Sequence, residues 1–456
     1  MPDRGAPPTP FSRPIVTSVQ RRPRVLFVYA DRVGASMGGV GIRAVELART
    51  VQAQLGADVT VAAAQHDGVD LGVPVITFAP HDPVEVRRRL GEFNAVVAQP
   101  GWPLLMRDLV RSGCRLIFDL YDPEVFGTLE TFEGRRRPLM AALAADRVRA
   151  ALRIGHHLMC ANERQRDLWL GAIVGAGLVA PDAWDRDPSF RDRLDVVAYG
   201  VPSAPADGAG ADRVRASLHL ADDDELVLWN GGLWPWLDPG SAVRAAAVLR
   251  ERRPRARLVF MGASGAGPAR EATLRARELA RSLGVLGDGV IFNESWVPYA
   301  QRAAWLRAAD CAISTHLDHL ETRFSSRTRL LDCFWAGLPI VCTGGDELAD
   351  RVARDDLGAV VASGDPAALA DGLERVLDRG RAAYAPRLAA AAADHAWAKV
   401  STPLLHWLQA AQVPAPLGAG RGLERRAGER LRSGAYRIGV TVLAAARIAP
   451  PRALGR

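Results

Sequence analysis

Leu320 to Thr343, LETRFSSRTRLLDCFWAGLPIVCT, is the stretch in which residue types and spacing most suggest chemistry. Ser325 or Ser326 suits a helix N-cap, and Leu331, Phe334, Trp335 and Leu338 would form the buried face of the helix that follows. Ser325, Thr328, Arg329 and Asp332 fall on a different stripe. A helix start offers unpaired N–H groups and a favourable dipole to phosphate, and Arg327 or Arg329 can add charge-assisted bonds. Asp332 stands two turns further in, about 10 Å along the axis. That is the reach from a diphosphate at the helix start to ribose hydroxyls. The plain structural reading is an amphipathic helix with a solvated polar side.

A second set lies in Asp119-Leu120-Tyr121-Asp122-Pro123, at the end of an apolar run. Open parallel sheets carry functional groups at strand carboxyl ends. Asp119 and Asp122 are therefore expected to face a cleft, where either can orient or deprotonate a hydroxyl. Capping or turn formation is the structural alternative. His316-Leu317-Asp318-His319-Leu320-Glu321 supplies nitrogen and oxygen donors of metal-ligating type, but its place after an apolar run reads better as a cleft wall than as a metal site.

The elements that would hold these groups alternate. Short apolar runs at 24–29, 59–63, 73–78, 95–98 and 116–118 read as strands, with a helix over 42–51 between the first two. A second cycle starts at 226–229, continues with a helix over 241–252, and has strands at 258–261, 290–292, 311–314 and 340–342. The pattern predicts an α/β protein of two Rossmann-like, doubly wound parallel-sheet domains. A Pro-, Gly- and Ala-rich segment, 199–210, links them. The expected division is a flexible segment over 1–22, domains over 23–200 and 201–390, a helix over 391–412 that packs back across the boundary, and a basic tail over 413–456.

Composition narrows the function. A chain of 456 residues with 48% hydrophobic and 24% charged content has room for two full cores. No apolar run reaches membrane-spanning length and the N-terminus has no signal-like apolar stretch, so a cytoplasmic location is expected. The five cysteines form no C-x-x-C pair and read as buried thiols. The net charge of +7 rests almost wholly on arginine, Lys399 being the one lysine, and no basic run is interleaved with aromatics. Nucleic acid is therefore not an expected partner, whereas an anionic substrate is. Arginines from Arg421 to Arg437 followed by the apolar 438–446 form a candidate peripheral membrane contact.

Several segments together resemble the retaining glycosyltransferases of family 4, which have the GT-B fold. AGLPIV preceded by Asp332, five positions before its glycine, resembles the family's nucleotide-binding signature. Gly38-Gly39-Val40-Gly41-Ile42-Arg43 resembles its glycine loop, Cys160-Ala161-Asn162-Glu163-Arg164-Gln165 the segment before its hinge, and Tyr199-Gly200-Val201-Pro202 the hinge entry. The resemblance spans roughly residues 24–408. It implies that Asp332 binds ribose, and that 23–200 receives the acceptor and 201–390 the nucleotide sugar. Gly38, Gly39, Gly231 and Gly232 would approach the donor, and Trp296-Val297 the base. The family's first glutamate position holds Phe324, with Glu321 three residues earlier. Its Arg-Lys pair after the first strand of the second domain is replaced by Gly231-Gly232-Leu233-Trp234-Pro235-Trp236. Phosphate would then be met by Arg327, Arg329 or glycine amides, and Trp236 could stack on sugar or base.

The expected activity is transfer of a sugar from a nucleotide-diphosphate sugar to a hydroxyl of a small-molecule, glycan or lipid-linked acceptor, with retained configuration and without metal or cofactor. Candidate catalytic groups are Asp119, Asp122, His316 and Glu321. Candidate donor-binding residues are Gly38, Gly39, Gly231, Gly232, Trp236, Val297, Ser325, Ser326, Arg327, Thr328, Arg329 and Asp332. The halves are expected to close on the donor by motion near 199–205. A non-catalytic nucleotide-sugar binder is the alternative. A dinucleotide oxidoreductase fits less well, because no clean G-x-G-x-x-G with a later acid is present.

Overall fold

The computed structural model describes residues 22–263 and 268–419. Most of the expected N-terminal segment, and the basic tail from 420 with its 438–446 stretch, lie outside the described residues.

The first domain holds seven parallel strands: β1 (Arg24–Val33), β2 (Asp58–His66), β3 (Val75–Thr77), β4 (Ala95–Ala98), β5 (Arg115–Asp119), β6 (His157–Cys160) and β7 (Leu194–Val196), in the order β3-β2-β1-β4-β5-β6-β7. The second holds β8 (Glu225–Gly232), β9 (Ala256–Gly262), β10 (Val290–Phe292), β11 (Cys311–Ser314), β12 (Ile340–Thr343) and β13 (Gly358–Val361), in the order β10-β9-β8-β11-β12-β13. β4, β5 and β11 are buried along their whole length, and so is the 25–29 stretch of β1, as helices on both faces of a parallel sheet require. Among the described residues, no helix is long and apolar enough to cross a membrane.

The helices that bear on the site are α1 (Gly39–Leu55), α2 (Glu124–Thr131), α3 (Glu163–Gly175), α4 (Pro239–Arg252), α5 (Leu320–Phe324), α6 (Thr328–Ala336), α7 (Ala385–Asp394), α8 (Trp397–Val400) and α9 (Thr402–Gln409). In each sheet the winding reverses beside the first strand of the domain: β1 pairs with β2 and β4, and β8 with β9 and β11. Crevices outside the carboxyl ends of such strands are where open α/β sheets bind ligands. The two domains turn these ends toward each other.

The chain crosses between domains twice, at adjacent points. Val201 N donates to His395 O at 2.8 Å, and Trp397 N donates back to Val201 O at 3.0 Å. A side chain on Gly200 would collide with Trp397, since an added Cβ would lie 2.4 Å from its ring. The return crossing is made by the separate helices α7, α8 and α9 rather than by one crossover helix, because the chain breaks at His395–Ala396 to pair with Val201. Beyond α9 the chain continues on the first domain, where Leu417 N donates to Gly155 O at 3.1 Å and the Leu417 side chain is buried. Residues 413–419 thus dock on the first domain.

All five cysteines are buried and free. Three strands stand outside the sequence expectation. β6 and β7 are short, and β6 carries histidine and cysteine. β13 opens on Gly358, where an added Cβ would fall 1.9 Å from Ile340 O.

Candidate active site between the two domains

α6 begins at Thr328, with Arg327 as its N-cap residue and no side-chain cap. This corrects the expectation that Ser325 or Ser326 caps it: Ser325 closes α5 instead, its N–H donating to Glu321 O at 2.8 Å. Its first N–H groups are therefore not covered by a serine. Leu331, Phe334 and Leu338 are buried as expected, together with Leu330 and Cys333. Trp335 is only half-buried, because its indole N–H reaches out to Ala204 O at 2.7 Å in the interdomain link.

The N-terminus of α1 faces that of α6. A Cβ on Gly39 would lie 3.6 Å from the Tyr121 hydroxyl and 3.9 Å from Thr328 Oγ1, residues of opposite domains. Two helix starts converging on one cleft make a strongly anion-attracting place. Gly38 precedes α1 in an extended conformation, and its carbonyl accepts from Ile42 N at 2.9 Å.

The two arginines of the segment part company. Arg327 turns inward, pairs with buried Asp346 and donates to Thr343 O. Its placement as a ready phosphate ligand is corrected accordingly: the guanidinium braces α6 against β12, and only Nη1 is left without a hydrogen-bond partner. Arg329 reaches the end of β8, donating from Nη2 to Gly232 O at 3.2 Å, with its guanidinium 5.2 Å from the centre of the Trp229 ring. Gly231 has φ 116°, and a Cβ there would lie 3.8 Å from Arg329 Nη2. Arg329 Nη1 has no partner. Burial, then the charge of Arg327, lowers the Arg329 pKa to about 10, so it stays cationic at neutral pH.

Asp332 is half-buried and accepts from Arg302 Nε at 3.2 Å. The Arg302 guanidinium is stacked at 3.7 Å and 4.6 Å from the Tyr299 and Trp335 ring centres. Burial raises the Asp332 pKa although Arg302 opposes it. Trp236 is half-buried and stacks on exposed Trp234, ring centres 5.4 Å apart and planes 2° apart. Val297 packs against the core beside exposed Trp296.

Asp119 is the clearest correction among the catalytic candidates. It is 1% exposed and takes a two-pronged ion pair from Arg43, Nε to Oδ2 at 2.7 Å and Nη2 to Oδ1 at 3.1 Å. The Tyr29 hydroxyl adds a bond at 2.7 Å. Both carboxylate oxygens are thus engaged within the first domain rather than left open to the cleft. Arg43 also donates to Val197 O and Ala198 O, tying α1 to the strand-end before the hinge. Sequence reading quoted Arg43 only as part of the glycine loop. Its partner lies 76 residues away, with no local signal.

Asp122 and Glu321 approach from opposite domains, and the charge of Asp122 acts on Glu321. Asp122 keeps solvent contact, yet crowding by the cleft walls and the charge of Asp119 raise its pKa to about 6. Glu321 is 8% exposed, its Oε2 has no partner, and burial followed by Asp122 raises its pKa to about 8. His316 is 3% exposed, held by Thr343 Oγ1 on its N–H and by Ser363 on its carbonyl. Neither ring nitrogen has a partner. Burial, then Arg327 and Arg329, hold its pKa well below the ordinary value, so the ring is neutral. His319 caps α5.

Two facing Rossmann-like domains of this topology, with the groups at their strand ends, define a GT-B protein. Residues 225–379 match the family model described as glycosyl transferases group 1, and the chain is a GT-B-fold protein related to that family. The D-inositol 3-phosphate glycosyltransferase of Frankia alni is 34% identical over 243 residues, 51% of this chain and 56% of the relative. That of Jonesia denitrificans is 26% identical over 418 residues, 84% and 93% respectively. The chain spans about half the length of the Frankia alni relative, and of the D-inositol 3-phosphate glycosyltransferase of Thermomonospora curvata, to which it is 34% identical over 216 residues. Among solved structures, the lipopolysaccharide-biosynthesis glycosyltransferase WaaG superposes with TM-score 0.60 at 17% identity, covering 84% of this chain and 99% of that one. HepE of Anabaena with UDP and glucose gives 0.59 at 13%, covering 84% and 98%. At such identities the likeness is one of fold.

Proposed function

We propose that the chain transfers a sugar from a nucleotide-diphosphate sugar to an acceptor hydroxyl with retained configuration. The observation that carries this reading is the convergence of the α1 and α6 N-termini with Arg329 beside Gly231 and Gly232. The corner where the related family carries an arginine side chain on the strand is here reached by an arginine from α6. The bond from the anomeric carbon to the β-phosphate oxygen breaks and its electron pair leaves with the diphosphate. The helix amides and Arg329 meet that growing charge. The acceptor oxygen bonds to the anomeric carbon on the face the diphosphate leaves, and its proton passes to the departing diphosphate.

In this account Asp122, ionised at neutral pH, accepts a hydrogen bond from the acceptor hydroxyl. Glu321, protonated, and His316, neutral, present their unpartnered polar atoms to sugar hydroxyls. Asp332 holds the ribose, and Trp236 lines the nucleoside end. The names of the curated relatives point to a small hydroxylated acceptor. Thermal-shift screening against nucleoside diphosphates tests the first half of the reading, since a ligand at 100 times its dissociation constant adds about 2.7 kcal/mol. Release of diphosphate from the cognate nucleotide sugar tests the second. No shift with any nucleotide would remove the reading.

A further inference from the structure

The start of α3, in the first domain, grips the turn that leads into α6, in the second. Gln165 is fully buried, and its amide is completely used. Oε1 accepts from Ala161 N at 2.8 Å, which fixes Nε2 as the donor end. Nε2 then donates to Tyr121 O and to Phe324 O, both at 2.8 Å. Tyr121 immediately precedes Asp122, and Phe324 ends the helix that carries Glu321. One side-chain amide therefore spans the two chain segments whose carboxyl groups face each other across the cleft.

Neighbouring contacts repeat the same grip. Asn162 caps α3 by accepting from Gln165 N at 2.8 Å, while its Nδ2 extends to Ser325 O at 3.4 Å. Arg164 donates to Gly345 O at 2.8 Å and pairs with Asp350. Phe126 of α2 stacks on Phe324 with ring centres 5.9 Å apart. The bonds of Asn162 Nδ2 to Ser325 O, Arg164 to Gly345 O and Asp350, and Gln165 Nε2 to Phe324 O, with the Phe126–Phe324 stack, join the first domain to the second.

We infer that Gln165 and Asn162 are positioning residues: they clasp the Phe324–Ser325 turn when the domains close, and so set Glu321 and the start of α6 against Asp122. The inference rests on the proposed transferase reading. It assigns to residues outside the donor site the task of making closure productive. Binding of nucleotide to the second domain does not require the clasp, but transfer does, because effective orientation of reacting groups is lost with displacements of about 1 Å.

Two substitutions isolate the contact. Gln165→Glu keeps the acceptor for Ala161 N but sets a carboxylate oxygen against two carbonyl oxygens. Asn162→Asp keeps the helix cap and removes the donor to Ser325, and it carries the test if the first variant does not fold. The measurements are nucleoside diphosphate affinity with UDP, GDP and dTDP, hydrolysis of the matching nucleotide sugar, and solution scattering with and without nucleotide. Expected is affinity within about threefold of wild type, a fall in kcat of about tenfold or more for either variant, and loss of nucleotide-induced compaction. In Gln165→Glu, the kcat ratio to wild type should recover as pH falls, because a protonated carboxyl regains a donor. Wild-type kcat and compaction in both variants would overturn the clasp. A wild-type protein that binds none of the three nucleotides would instead overturn the transferase reading, a separate result.

Discussion

The Arg329 guanidinium lies 3.2 Å from the Gly232 carbonyl oxygen, so a cation carried by α6 occupies the corner that β8 leaves open with two glycines. The helix can reach this corner because β8 and β11 are adjacent and α6 follows β11 in the chain. Gly231 has φ 116°, a backbone conformation that a residue with a side chain would hold only under strain. The remaining features of the site follow from this arrangement, and each leads to a separate test.

Trp236 should bear on the nucleoside. Its ring is already stacked on Trp234, so a bound base would extend an ordered pair rather than order a free ring. Trp236→Ala is expected to weaken nucleoside diphosphate binding by about 0.5–1.5 kcal/mol with little change in kcat for the bound donor. Affinity equal to wild type in titration calorimetry would move the base elsewhere.

Asp119 should behave as a structural residue. Replacing it by alanine strands the Arg43 guanidinium in the interior, and breaking a buried pair in this way costs about 3–5 kcal/mol. Denaturant unfolding of Asp119→Ala should show that loss. A variant of unchanged stability that has lost only turnover would restore the catalytic reading of Asp119.

Asp122 should set an acidic limb in the rate. With its pKa raised to about 6, it is ionised and able to accept from the acceptor hydroxyl above that pH, and loses this ability below it. Turnover of the wild type should rise through about pH 6, and Asp122→Asn should lose both most of the rate and that limb. A limb that persists in Asp122→Asn belongs to another group.

Glu321 should mark stability against pH. Its folded pKa, about 8, is above the ordinary 4.5, so the folded state holds the proton more tightly. The resulting stabilisation is fully present below about pH 4.5 and is lost as pH rises through 8. Glu321→Gln, which carries no ionisable group there, should gain in melting temperature relative to wild type as pH rises from 5 to 8, because it has no proton to lose. Parallel melting curves would show that Glu321 is ionised in the fold.

Much of this was legible in the sequence, and the part that was not has a common cause. Runs such as Val25–Tyr29 and Leu226–Trp229 announce buried parallel strands, and the glycines after them mark the strand ends. The amphipathic face of α6 also follows from local spacing. Long-range pairing does not: nothing near Asp119 signals Arg43, nothing near Arg327 singles it out over Arg329 as the partner of Asp346, and nothing near Asp332 signals Arg302. Those three ion pairs join residues 76, 19 and 30 positions apart, beyond the reach of local spacing. β6 and β13 give a weak local signal: β6 is four residues carrying histidine and cysteine, and β13 is a four-residue, half-buried edge strand opening on glycine.

The central claim is that Arg329 meets the diphosphate at the start of α6 and does so most strongly as it departs. The direct measurement is nucleoside diphosphate affinity by calorimetry together with single-turnover donor cleavage, for wild type and Arg329→Ala, with melting temperature as the folding control. Removal of a charged hydrogen bond predicts a loss in affinity of about 1.5–3 kcal/mol, with a larger fall in the cleavage rate than in binding. A folded Arg329→Ala protein with wild-type affinity and wild-type cleavage would contradict the account and take the phosphate site away from this helix.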